Sequence, residues 1–208
     1  MEKYVFIAII GYLFGCLQWS YILGMTLKKQ DIRTLGVGNA GASNTVTVFG
    51  WKMGVVVAIL DILKAIISIL VIRYLFKNSD IFSLYLNGTS VILGHNYPFF
   101  MKFRGGKGTA STIGMLFGIN YKLGILGVLV ILSITLLTDF IALGTISLVL
   151  FFVFATIYLG FGNACLLLAI FIAIQSIYKH IPNLKRIINH RETRLRQTLK
   201  AKRNSQIN

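Results

Sequence analysis

Residues 94–108 read GHNYPFFMKFRGGKG, a run that gathers the residue types able to handle phosphate. His95 supplies an imidazole that titrates near neutral pH, and the pattern sets it on a turn closed by Pro98. Lys102, Arg104 and Lys107 supply positive charge. Gly105, Gly106 and Gly108 let backbone N–H groups approach an anion with no Cβ in the way. A Ser/Thr-rich apolar segment opens at Thr109, so the glycines abut a helix N-terminus, where the helix dipole favours negative charge. This is not a Walker A loop, because Gly108 rather than Ser or Thr follows Lys107. The plain alternative is a basic turn between membrane spans.

Two further clusters stand out against a background of Leu, Ile and Val. Residues 31–44, DIRTLGVGNAGASN, place Gly36, Gly38 and Gly41 among Asn39, Ser43 and Asn44. Small and amide residues at that density suit a backbone wrapped around a polar ligand, or else a flexible loop with Asn-capped ends. As a lone GxGxxG the glycines lack the strand–helix context of a dinucleotide site. Asp61 and Lys64 are three residues apart and share one face of an apolar helix. A structural ion pair and a substrate contact both account for them. Asp139 ends a helix at the interface, and His180 reads as an interfacial residue.

The elements that must hold these clusters are membrane helices. The chain has 208 residues, 56% hydrophobic, with mean hydropathy +0.76, too apolar for a soluble domain. Apolar runs predict spans at 4–24, 53–73, 80–97, 108–120, 122–138, 140–159 and 161–180. The fourth is short for a crossing. The expected fold is therefore all-α, a polytopic bundle of about seven transmembrane helices. It forms a single membrane domain over residues 1–182, with a basic tail over 183–208. Glu2-Lys3 makes a poor signal-peptide start and no small-x-small cleavage site follows, so the first run reads as a retained span. Cys16 and Cys165 lie in apolar runs without ligand spacing and read as packing residues.

The net charge of +15 comes from 21 Lys and Arg against 6 Asp and Glu. Confined to loops and a tail beside spans, it points to orientation and anionic lipid rather than nucleic acid. With seven spans, sixteen basic residues fall on the C-terminal side and four on the other, which places the N-terminus outside and the C-terminus in the cytoplasm. All the polar clusters then face the cytoplasm together. In the tail, Leu184, Ile187, Ile188, Leu195 and Leu199 make an apolar stripe beside a basic face, as on a helix lying against an anionic leaflet. The segment 190–192 could instead fold back towards the site.

In one order along the chain, residues 31–33 and 38–44, Asp61 to Lys64, residues 94–98 and 103–108, and the tail residues HRET at 190–193 resemble the bacterial acyl-phosphate:glycerol-3-phosphate acyltransferases, the PlsY family. The resemblance covers nearly the whole chain. It implies seven spans and a cytoplasm-facing site in the cell membrane. It also implies acylation of the 1-hydroxyl of sn-glycerol 3-phosphate by acyl phosphate, giving lysophosphatidic acid and phosphate. On that model Lys107, Arg104 and the N–H groups of Gly105, Gly106 and Gly108 hold phosphate, and Asn39, Ser43 and Asn44 orient the glycerol hydroxyls. Gly38 and Thr193 belong to the same substrate-binding set. His95 either accepts the proton of the attacking hydroxyl or donates a hydrogen bond to phosphate. No metal or other cofactor is expected, since no carboxylate cluster exists to hold an ion, and no obligate protein partner is evident.

The chain departs from the family at three positions that bind phosphate and the glycerol backbone. Val37 stands where Ser is usual, Thr47 where Arg is usual, and Thr193 where Asn is usual. Losing the arginine removes a bidentate clamp that Thr cannot replace. An alternative reading is thus a relative without catalysis, or with an altered substrate, that binds or moves a phosphorylated lipid or anion.

Overall fold

A computed structural model describes residues 2–197, and every regular element among them is helical. In order these are α1 (Glu2–Gly15), α2 (Trp19–Leu23), α3 (Ala42–Phe49), α4 (Trp51–Leu75), α5 (Ile81–Asn96), α6 (Thr109–Ile119), α7 (Tyr121–Thr138), α8 (Ile141–Tyr158) and α9 (Asn163–Ile188). Helix α2 runs on as a π-helical turn, Gly24–Lys28. Leu199 of the expected tail stripe lies outside the described residues.

Polarity is distributed inside out. Leu63, Ile67, Leu70, Leu132, Leu136 and Phe154 are exposed, whereas Gln18, Asp61, Lys64, Asn87 and His95 are buried. That suits an apolar solvent around the bundle and internal satisfaction of polar groups. Among the described residues five segments are long and apolar enough to cross a membrane: Glu2–Lys28, Trp51–Leu75, Tyr121–Thr138, Ile141–Tyr158 and Asn163–Ile188. The other two expected spans are the shorter α5 and α6. With 11 residues, α6 rises only about 16 Å, half of a hydrocarbon core. It is almost wholly buried, packed by α4, α5 and α7.

Glycines allow the tightest helix crossing, α1 against α5. A Cβ on Gly15 would lie 2.1 Å from the Val91 carbonyl oxygen, and one on Gly94 would lie 2.2 Å from that of Tyr12. Such backbone-to-backbone approach is the usual role of small residues between membrane helices.

Three helix boundaries differ from expectation. The first span breaks at residues 16–18, where an interrupted helix leaves carbonyls at Gly15 and Leu17 for side chains to satisfy. Residues 42–49 form a helix, α3, where a continuing loop was expected; Asn44 and Thr45 are its buried positions. Helix α9 runs through Pro182 to Ile188, past the expected 182/183 boundary, so three of the five residues of the tail stripe, Leu184, Ile187 and Ile188, belong to it.

Candidate active site

His95 occupies the last helical turn of α5, not the turn closed by Pro98. The helix persists because its cap, the Tyr97 N–H, still donates to the Leu93 carbonyl (2.7 Å). From there the imidazole points into the bundle and is only 3% exposed. Its Nδ1 lies 3.0 Å from Lys64 Nζ on α4. The same ammonium donates to the Leu17 carbonyl (2.7 Å) and the Gly15 carbonyl (3.1 Å) at the break after α1. Asp61 Oδ1 sits 2.8 Å from it as the countercharge.

This arrangement assigns the histidine tautomer. An ammonium has three hydrogens and no lone pair, and its hydrogen-bonded neighbours are two carbonyls and Nδ1. Nδ1 must therefore accept, and the ring proton sits on Nε2. The alternative, Nδ1–H donating to Asp61, fails on distance, since that gap is 3.6 Å. Of the two readings of Asp61 and Lys64 from sequence, the structural ion pair is the one found; what neither anticipated is that the pair also orients His95.

The glycine-rich stretch lies over the other edge of the ring. Gly106 N–H donates to the His95 carbonyl (3.0 Å) and Gly105 N–H to that of Asn96 (3.2 Å). A Cβ on Gly106 would stand 2.1 Å from His95 Nε2. Only glycine lets the backbone lie so close to the imidazole. Gly108, in left-handed conformation at φ +84°, is the N-cap of α6. Lys107 is half-buried beside it and donates to the Asn183 side-chain carbonyl on α9. Burial, then the nearby Arg186 charge, push the Lys107 ammonium down to about 8.

The loop of residues 31–44 docks on this stretch. Ala40 N–H donates to the Gly105 carbonyl (3.3 Å), and Arg33 donates to the Met101 carbonyl (2.9 Å). Ile32, Ala40 and Met101 form a small apolar core between the two segments. Arg33 also pairs with Asp31 (2.6 Å), and that hydrogen bond lowers the carboxyl below its usual range. Asn44 is the clamp of the loop. It accepts from Val37 N–H (2.9 Å) and donates to the carbonyls of Ile32, Leu35 and Asn39 at 3.1, 3.1 and 2.9 Å. Its side chain is committed to the backbone, so its part in any site is to hold the loop's shape.

The structure therefore gathers His95, Gly105, Gly106, Lys107 and Gly108, and joins them through Ala40 to the loop that carries Gly38 and Asn39. Arg104 and Ser43 are exposed nearby in sequence but make none of these contacts. Thr47, exposed on α3, donates back to the Ser43 carbonyl (3.2 Å). Thr193 is exposed in the turn after α9, and the tail's link to the site runs through its neighbour Glu192. Sequence reading missed Asn183. Its signal was an amide in a helix otherwise read as tail, visible only once α9 is known to continue through Pro182. Among the described residues no three His, Cys, Asp or Glu side chains group to hold a metal ion.

Comparison with known proteins identifies the family. The family model described as glycerol-3-phosphate acyltransferase matches residues 5–190. Glycerol-3-phosphate acyltransferase 1 of Oceanobacillus iheyensis is 43% identical over 198 residues, covering 92% of this chain and 95% of that one. The glycerol-3-phosphate acyltransferase of Thermoanaerobacter pseudethanolicus is 35% identical, covering 95% and 98%. Among solved structures, the glycerol 3-phosphate form of PlsY, an integral membrane glycerol 3-phosphate acyltransferase, matches with a TM-score of 0.83 at 33% identity, over 92% of this chain and 94% of that one. Its lysophosphatidic acid form gives 0.82 at 32% identity, over 94% and 98%. With matches spanning nearly its full length, the chain belongs to the glycerol-3-phosphate acyltransferase family.

Proposed function

We propose that this protein is a membrane acyltransferase that moves an acyl group from acyl phosphate to the 1-hydroxyl of sn-glycerol 3-phosphate. The C–O bond to the glycerol oxygen forms, the acyl–phosphate bond breaks, and the hydroxyl proton leaves with inorganic phosphate. The product is lysophosphatidic acid. The observation that carries the reading is the half-buried Lys107 at the N-terminus of α6, against a glycine backbone lying on a buried, oriented His95. An acyl phosphate is already activated, so the protein's task is to orient the acceptor and neutralise phosphate charge. Lys107, held by the Asn183 carbonyl, and the α6 N-terminus meet the phosphate. His95, protonated at Nε2, serves as a hydrogen-bond donor to a substrate oxygen rather than as the base. The proposal includes seven crossings, with α5 and α6 as two of them, the site on the cytoplasmic face of a bacterial plasma membrane, and residues 183–208 as its basic cytoplasmic extension. The sixteen-to-four division of basic residues supports that orientation.

One assay tests both parts. With membrane-impermeant acyl phosphate and glycerol 3-phosphate, turnover is expected in inside-out vesicles and not in right-side-out ones. Acyl-CoA should not replace acyl phosphate. Equal rates from both vesicle types contradict the orientation, and no product from either favours the relative without catalysis.

The departures at positions 37 and 47 give a second expected result. Val37 and Thr47 are both exposed, so neither larger polarity nor a longer side chain meets a packed neighbour. Thr47→Arg with Val37→Ser should lower the KM for glycerol 3-phosphate about tenfold or more, since a charge-assisted hydrogen bond contributes ~1.5–3 kcal/mol and a neutral one less. An unchanged KM means that neither position reaches the substrate.

A further inference from the structure

One acidic side chain stands among the cations around Lys107, and the mechanism so far gives it no role. Beyond α9 the chain turns at His190, in left-handed conformation at φ 54°. The N–H groups of Arg191 and Glu192 then donate to the Arg186 carbonyl (2.7 and 3.1 Å). This folds Glu192 back against the end of α9. One of its oxygens accepts from Asn183 Nδ2 (2.6 Å) and the other from Arg186 Nε (2.6 Å). Asn183 in turn presents its carbonyl to Lys107.

An amide can flip, and its two ends differ in kind: one accepts, the other donates. Glu192 can only accept, so it fixes which end of Asn183 it holds. The carbonyl is thereby forced towards Lys107, and a flipped amide would turn N–H groups on the ammonium. Arg186 holds Glu192 in place with a charge-assisted bond. We propose that Glu192 is a positioning residue: by locking the Asn183 amide it sets the orientation of Lys107 towards phosphate. This rests on the reading of Lys107 as the phosphate cation.

Electrostatics point the same way. The charged and titratable groups facing Lys107 are Lys179, His180 and Arg186 from α9 and Glu192 from the following turn. Glu192 is the one anion of that set. It partly offsets the Arg186 and Lys179 charges, so it helps to keep the ammonium protonated at neutral pH.

The test uses full-length protein in detergent and measures binding of inorganic phosphate by calorimetry from pH 6 to 10, with kcat and KM for glycerol 3-phosphate beside it. Wild type is expected to lose phosphate affinity above about pH 8. In Glu192→Ala that limb should move down by about 0.5–1 pH unit, and affinity at pH 7 should fall about tenfold, with KM rising more than kcat falls. Glu192→Gln keeps an acceptor for Asn183 but no charge, so it should recover most of the affinity at pH 6 and still show the shifted limb.

Arg196→Ala separates positioning from simple docking of the tail. Arg196 ties the tail to the α7–α8 turn: its guanidinium donates to the Leu136 carbonyl (3.0 Å), the bond this variant removes, while its backbone N–H donates to the Asp139 carboxylate (2.9 Å) in either case. This variant should leave the limb where it is. The proposal is overturned if Glu192→Ala leaves the limb unmoved, or if Arg196→Ala moves it equally. Wild type that binds no phosphate at any pH overturns the reading beneath it, and the proposal with it.

Discussion

Lys64→Met is expected to destabilise the bundle by roughly 3–5 kcal/mol, because it strands the Asp61 carboxylate in the interior. Both side chains are almost completely buried, and the lysine also satisfies the two carbonyls released where the first span breaks. A methionine fills the volume but donates nothing. Thermal unfolding in detergent micelles should show the loss directly. Adding Asp61→Leu removes the stranded charge and should return much of the stability, as replacing a whole buried pair commonly does. Acyl transfer should stay low in the double variant, since His95 Nδ1 has lost the donor that fixes its tautomer. If Lys64→Met unfolds at the wild-type temperature, the ion pair does not anchor this end of the bundle. If the double variant also regains full activity, the tautomer argument falls.

Lys107→Ala should do the reverse, removing function without removing stability. Loss of a charged hydrogen bond to phosphate predicts a fall in kcat/KM for glycerol 3-phosphate of about ten- to a hundredfold or more. The sign of the pH effect follows from burial, which pushes this ammonium down to about 8. Below that pH the lysine is charged and able to meet phosphate, and above it the charge is lost, so on the proposed function kcat/KM should be level below pH 8 and decline beyond it. Stability runs the other way. A lysine held below its ordinary value disfavours the folded state while protonated, and that cost is relieved as pH rises through 8. The alanine variant should therefore unfold no earlier than wild type at pH 7. Unaltered kinetics in Lys107→Ala would leave the glycine-rich stretch as a membrane-side loop and nothing more.

Much of this site was legible because membrane sequences punish polar residues without a purpose. His95, the Gly105–Gly106 pair and Lys107 could be picked out in linear order, and the structure packs them together. Asp61 and Lys64 were visible as a pair, yet their tie to His95 was not, because 31 residues separate Lys64 from the imidazole and periodicity says nothing across helices. Asn44 looked like a ligand from its composition, and only the hydrogen bonds show it spent on the loop's own backbone. The end of α9 was misplaced for a local reason. Proline usually stops a helix, but here α9 continues past Pro182, and that continuation carries Asn183 to Lys107.

The close crossing of α1 and α5 bears on how the chain assembles as it is made. Helix α1 emerges from the ribosome first, but the surface its glycines fit is on α5, eighty or so residues later, where Gly94 meets Tyr12 and Gly15 meets Val91. The Gln18 amide likewise waits for the His95 carbonyl (2.8 Å), and Lys64 for the imidazole. Until α5 inserts, the first and fourth helices hold their polar groups without those partners, in a bilayer that offers none. Completion of the imidazole cluster and closure of the N-terminal half thus wait on the same segment, α5, and neither is finished before it packs against α1 and α4.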